Sequence, residues 1–411
     1  MSTSLAPAPR GLRAPRPWAM LAVAVFAQAS TTVVISTPAF LIPLLHTQRG
    51  LTLAQAGLLA AAPSLGLVLS LVLWGAATDR WGERRMLVIG LVVTTVAVVA
   101  ASFVSGYAAL GAILVVAGIG AASTNAASGR VVVGWFSKEK RGLAMGIRQS
   151  CQPLGVAVAA LVIPPLVAPG LIAPALIFGA VLVGVSAVAC FVVIVDPVRP
   201  ARVRVDGTSD NPYRRDSTLL RIHLVSVLLV VPQFALSTFG LIWFVADLGW
   251  STLAAGIVVA VAQFLGAGGR IAVGVLSDRV GSRLRPLRWV AIVGILFLLL
   301  TAGAGALHWS AAAAVAYVLA SCISVADNGL SFTAVAEFAG PHWSGRALGG
   351  QNTGQFLGAA IVAPAVGALI GLVGYPLAFA LVALAPAIAV PLVPSAQREL
   401  DREAELSSQT A

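Results

Sequence analysis

Charge is what this sequence has least of. Only 10% of its 411 residues are charged, against roughly 25% in a soluble globular domain, which excludes a water-soluble fold with a polar shell. Cysteine occurs three times, and Cys151, Cys190 and Cys322 each lie inside an apolar run with no CxxC pair. Neither a disulfide framework nor a cysteine metal site is expected. The four histidines, His46, His223, His308 and His342, fall near helix ends and never at metal or triad spacing. No G-x-x-x-x-G-K-S/T loop is present to hold ATP. These absences predict no cofactor, no metal and no enzyme chemistry. Lys and Arg outnumber Asp and Glu by 26 to 15, a formal charge of +11, but they are dispersed between apolar runs. Nucleic acid would require them gathered on one surface.

What is abundant is apolar sequence: 59% of residues are hydrophobic and the mean hydropathy is +0.95. About 20 apolar residues cross the hydrocarbon core as a helix, and runs of that length recur between short charged breaks. Those breaks predict twelve transmembrane helices near 18–45, 53–77, 86–104, 108–135, 142–168, 171–195, 219–246, 251–276, 288–306, 309–337, 346–371 and 374–394. The fold class is therefore an all-α membrane protein. Residues 1–17 read as a Pro/Arg-rich tail, and the apolar run after it exceeds the roughly 7–15-residue core of a cleavable signal, so it is expected to stay as the first helix. The polar stretch 196–218, containing "DPVRPARVRVDGTSDNPYRRDS", has the composition of a linker. It separates a six-helix bundle over 18–195 from another over 219–394, and 395–411 forms a second tail.

If the N-terminus is cytoplasmic, alternate breaks are cytoplasmic too, and the Lys/Arg distribution tests this. All but four of the 26 basic residues fall in those breaks and tails. The exceptions are Arg49 in an opposite break and Arg130, Arg148 and Arg270 within spans. Both termini are expected in the cytoplasm, with the chain integral to the inner (cytoplasmic) membrane and lipid as its surroundings.

The two bundles are copies of one unit. At an offset of 199, "GAATDRWGERR" from Gly75 lies over "GVLSDRVGSR" from Gly274, matching Gly75/Gly274, Asp79/Asp278, Arg80/Arg279 and Arg84/Arg283. At an offset of 203, "AMGIRQSCQPLG" from Ala144 lies over "ALGGQNTGQFLG" from Ala347, matching Gly146/Gly349, Gln149/Asn352, Gln152/Gln355 and Gly155/Gly358. Parallel repeats of this kind belong to secondary transporters, which hold a small-molecule substrate near the midplane between halves that rock against each other. The glycine permits close helix approach, and the carboxylate with its arginines can form a charge latch. At these residues the sequence resembles the major facilitator superfamily, whose loop between helices 2 and 3 reads G-x-x-x-D-R-x-G-R-R and often recurs between helices 8 and 9. The resemblance implies two pseudo-symmetric six-helix bundles and a gating role for Asp79, Arg80, Arg84, Asp278, Arg279 and Arg283. A monomer is expected. Glu83 and Ser282 stand where that family usually carries a basic residue.

An ionised group at mid-membrane costs about 2.5–3.5 kcal/mol on insertion scales, so Arg130, Arg148, Arg270 and Asp327 call for compensation. Each arginine can reach the interface or line a cavity. Arg148, Gln152 and Gly155 fall at i, i+4 and i+7, as do Gln351, Gln355 and Gly358 in the other half. A polar face built twice suits a path between the halves. Three arginines against one aspartate favour an anion, with Arg270 as principal contact. Gln149, Arg130 and Asn328, beside Asp327, complete the candidates. Asp327 is either a salt-bridge partner of Arg270 or a carrier of a coupled proton. The stretch "GGRIAVGVLSDRVG" is similar to the eighth helix of oxalate/formate antiporters and monocarboxylate carriers, where an arginine at this position contacts the substrate carboxylate. Position 266, an aspartate in the monocarboxylate carriers, is glycine here. The expected function is gradient-driven transport of a small organic anion by alternating access. The alternative is proton-coupled export of drugs or amphipathic compounds, whose helix-4 arginine position is Leu114 here.

Overall fold

A computed structural model of the chain describes residues 16–51, 53–167, 171–197, 211–340 and 342–396. Most of the two expected tails, 1–15 and 397–411, and most of the expected linker, 198–210, lie outside the described residues. The helices are α1 Pro17–Arg49, α2 Leu53–Trp81, α3 Glu83–Ala101, α4 Tyr107–Trp135, α5 Lys138–Gln149, α6 Cys151–Val167, α7 Ala173–Val193, α8 Pro212–Arg215, α9 Thr218–Ala246, α10 Thr252–Val280, α11 Leu284–Ala306, α12 Ser310–Ser324, α13 Asp327–Ala339, α14 Ser344–Val382 and α15 Leu384–Leu392. Among the described residues, eleven helical stretches are long and apolar enough to cross a membrane. The last of these, Ser344–Leu392, is interrupted at Gly374 (φ 75°, ψ 169°), which turns it into two crossings. Only glycine holds that backbone without a Cβ penalty.

Two of the helices expected to be continuous are broken. The run over 142–168 divides at Ser150 between α5 and α6, and the run over 309–337 divides at Val325 and Ala326 between α12 and α13. The first break has a local cause: proline has no N–H, so Pro153 cannot donate to the carbonyl of Gln149 four residues earlier. That carbonyl is released from the helix.

Packing follows the repeat. One apolar cluster lies wholly in the N-terminal half, joining residues such as Val34, Leu91 and Val183, and another lies wholly in the C-terminal half around Trp243, Leu298 and Phe379. A third crosses between halves, placing Val132, Ala144 and Met145 against Leu287, Phe332 and Leu348. The halves approach backbone to backbone at glycines. A Cβ on Gly75 would meet the carbonyl oxygen of Gly345, and one on Gly142 would meet that of Gly274. Gly146 sits against Arg270 and Ile271, and Gly349 sits against Leu71 and Val72. Small residues are what bring helices together in lipid, where apolar burial offers no net drive. The Gly75–Gly345 and Gly142–Gly274 contacts lie toward the end of the bundle that carries the α2–α3 and α10–α11 turns, the latch end.

Candidate functional site

The latch is built twice. At the foot of α2, the Asp79 carboxylate accepts hydrogen bonds from the backbone N–H groups of Gly345 and Arg346, each at 2.9 Å. These belong to the first turn of α14, where unpaired N–H groups and the helix dipole favour an anion. In the other half, Asp278 accepts from the N–H groups of Gly142 and Leu143 in α5, each at 2.9 Å. Each carboxylate therefore ties its own half to the opposite one.

The charges that support the two aspartates are exchanged between copies. Arg130 of α4 pairs with Asp79 and, through Nε at 2.7 Å, with Glu83; all three side chains are buried. In the second copy the base comes from the turn and the acid from the helix: Arg283 donates to Asp278 at 2.6 Å and lies 3.5 Å from Glu337 of α13. Burial works to lower the pKa of Arg283, but the Glu337 and Asp278 carboxylates outweigh it and raise the pKa. Arg283 also donates to the carbonyl of Lys138 across the interface. Arg80 and Arg279, expected in the latch, are exposed, and Arg80 stacks over Trp81. The Arg84 N–H donates to Asp196 at 2.8 Å and its guanidinium covers Phe191, both within its own half.

Above the latch, Arg270 projects from the middle of α10 with 7% exposure and closes on both broken helices. It donates from one terminal nitrogen to the released carbonyl of Gln149 at 2.8 Å, and from Nε to Val325 at 3.3 Å. One bond reaches the N-terminal half and the other stays in its own. The repeat counterpart Leu71 is fully buried against Leu67 and Ala122, with Trp74 and Phe356 packed around it. The asymmetry visible in the sequence is thus an asymmetry of the interface.

Arg270 lines a small chamber with Gln149, Gln152, Asn328 and Gln355, all expected at the site. Four amides that were not assigned to the site from sequence join them: Gln28, Asn125, Gln233 and Asn352. Most of the amides are engaged with each other. In one half Gln28 donates to Asn125 at 2.9 Å and accepts from Ser128 at 2.9 Å. In the other, Gln355 donates to Asn328 at 3.0 Å and to Ser226 at 2.8 Å, while Asn328 donates to Gln233 at 3.1 Å. One network thus lies in each half, and Phe234, Phe332 and Phe356 line the chamber with them.

Arg148 lies beneath this chamber and is 1% exposed. It donates to Ser128 at 3.0 Å, to the carbonyl of Asn125 at 2.8 Å and to the side chain of Gln149, and it lies over the ring of Phe332. Its acceptors are all neutral. The polar face of the N-terminal half divides at the break: Arg148, at the end of α5, turns to Ser128 and Asn125, whereas Gln152 of α6 lines the chamber and Gly155 packs on Ala29 and Thr32 of α1. Arg130 is not at the chamber, since Asp79 and Glu83 hold it in the latch. Asp327 is 1% exposed and faces the other way, toward Leu229, Val290 and Pro386. It accepts from Ser331 at 3.5 Å, and it interacts with Arg270 through space without a direct ion pair.

A pair of repeated six-helix halves, latched at one end around a polar chamber, defines a membrane transporter. The chain belongs to the Major Facilitator Superfamily, whose sequence profile matches residues 24–363. It is a carrier of small molecules and not an enzyme. It is 46% identical over 378 residues to an uncharacterized MFS-type transporter of Mycobacterium tuberculosis, covering 92% of this chain and 84% of that one. Over 121 residues it is 27% identical to the hexuronate transporter of Bacillus subtilis, 29% of each chain. A probable sulfoacetate transporter of Cupriavidus necator is 29% identical over 121 residues, 29% of this chain and 28% of that one. Among solved structures, the transporter FucP in its outward conformation superposes with a TM-score of 0.74 at 15% identity, covering 91% of this chain and 97% of that chain.

Proposed function

We propose that this protein is a gradient-driven carrier of small organic anions, carboxylates in particular, that works by alternating access in the cytoplasmic membrane. The observation that carries the reading is the pair Arg270 and Arg148: two buried guanidiniums at one chamber, bonded to neutral acceptors. Neither guanidinium has a direct ion pair, and Arg270 meets the Asp327 carboxylate only through space; a buried charge held this way is expensive, and an anion in the chamber supplies a contact partner. Arg270 is the group that meets the substrate, because it lines the chamber, and Arg148 acts from beneath as a fixed charge. With the basic breaks and both termini in the cytoplasm, as the positive-inside rule has it, the latch end faces the cytoplasm and the described state is closed on that side. The names of two distant relatives, the hexuronate and sulfoacetate transporters, are those of anions.

The test is uptake into proteoliposomes of a set of carboxylates, each beside its own neutral amide. A site built around an unpaired guanidinium discriminates strongly against an isostere that leaves it unpaired. Carboxylate uptake is expected to exceed amide uptake at least tenfold. Equal rates for each pair would overturn the proposal.

A further inference from the structure

The inner chamber has a volume of only about 30 Å³, room for little more than one water molecule. Directly continuous with it is a cleft of about 670 Å³ between α6 and α9 on one side and α10 and α12 on the other. The two share Gln152, Gln233, Phe234 and Arg270. In the latched state the chamber takes a head group, and whatever the head group is attached to lies in the cleft.

The walls of the cleft state what that body is. Pro153, Leu154, Val156 and Ala157 form one side, and Ala260 and Phe264 form the other. Leu154 is 54% and Phe264 77% exposed, so large apolar surface stands open beside a buried cation. Beyond the residues shared with the chamber, the polar side chains of the cleft are four serines and Gln263; Ser150, Ser237 and Ser324 already donate to backbone carbonyls of their own helical segments at 3.2, 3.3 and 2.9 Å, which leaves Gln263 and Ser321. A polyhydroxylated substrate would need many free hydrogen-bonding groups. The chamber amides are largely spent on each other, and the cleft supplies few.

We propose that the substrate is an amphipathic carboxylate, its head on Arg270 and its apolar body along the cleft between α6 and α10. The inference rests on the reading of Arg270 as the anion contact. It goes beyond that reading by excluding sugar acids and the smallest organic acids as the preferred cargo.

The test measures binding of straight-chain carboxylates of three to eight carbons, and of glucuronate, to nanodisc-reconstituted protein. Free concentrations are fixed by dialysis and empty nanodiscs are subtracted. Affinity is expected to rise about fourfold per methylene, the factor set by the transfer free energy of a buried CH₂. Ala260→Leu, at an exposed position on the cleft wall, is expected to cancel most of the gain of the longer acids while leaving the three-carbon acid unchanged. Ala160→Leu, on the facing wall and also exposed, provides a second variant of the same kind. Affinity independent of chain length, or glucuronate binding more tightly than an eight-carbon acid, would overturn the proposal while leaving the anion reading standing. So would indifference of the long acids to both variants, the result expected if a lipid chain fills the cleft. Failure of the anion reading looks different: neutral amides of the same chains would then bind as well as the acids.

Discussion

Replacing Arg130 with methionine is expected to destabilise the protein by about 3–5 kcal/mol, the typical cost of removing one partner from a buried ion pair. The substitution takes the guanidinium from two buried acids at once. Asp79 and Glu83 are both buried, and Arg130 is the base that pairs with them. Asp79 keeps its two backbone donors, Gly345 and Arg346, and Glu83 loses the 2.7 Å contact with the arginine. A second change, Glu83→Gln, is therefore expected to restore most of the loss in the Arg130→Met background, a coupling that a double-mutant cycle measures directly. For a half of this size the single change corresponds to a fall in melting temperature on the order of 10 °C. A single variant melting within about 1 °C of the parent would contradict the assignment of this triad. By contrast, the pair between Arg141 and Glu337 at 3.2 Å is partly exposed, and its removal is expected to cost no more than about 1 kcal/mol.

The second large effect concerns the state of the transporter more than its stability. Gly274→Val would drive a Cβ into the backbone of Gly142, and Gly75→Val would do the same at Gly345. These collisions exist only while the halves are latched. Overpacking costs about 1–3 kcal/mol, and because the strain is confined to one state, each substitution is expected to shift the balance roughly 5- to 150-fold toward the unlatched form. Spin labels at Arg80 and Arg279, exposed residues on opposite halves of the latch end, report the change as a longer distance population. Transport is expected to fall more than tenfold while the melting profile stays cooperative. An unchanged distance distribution in both variants would show that the glycine contacts do not hold the closed state.

The sequence made the scaffold legible because its signals are repeated. Apolar runs located the crossings, and the duplicated Gly75/Gly274 and Asp79/Asp278 positions are the ones that touch across the interface. Arg270 stood out because its copy is Leu71, and the structure gives those two residues different surroundings. The partners of Arg130 were harder to find. Glu83 is 47 positions away, and its acidic character looked like a departure from a basic motif when it is half of an ion pair. The continuous polar face through Arg148 failed for a reason already written in the chain: Pro153 breaks the helix that the periodicity assumed. Gln28, Asn125 and Gln233 carry no charge to mark them in the sequence, although each is a costly group in an apolar span. Their mutual hydrogen bonds depend on contacts nearly a hundred residues apart, which no local pattern encodes.

The central claim is that Arg270 holds the substrate's carboxylate and does not serve only as a strut between Gln149 and Val325. Binding of the preferred carboxylate to Arg270→Gln protein, measured beside its melting temperature, tests this most directly. Truncating one member of a buried charged contact typically costs about 2–5 kcal/mol, so affinity is expected to fall at least about 30-fold with the fold intact. Affinity within threefold of the parent, in a variant whose melting temperature has dropped, would contradict the claim and leave Arg270 as a purely structural link between the halves.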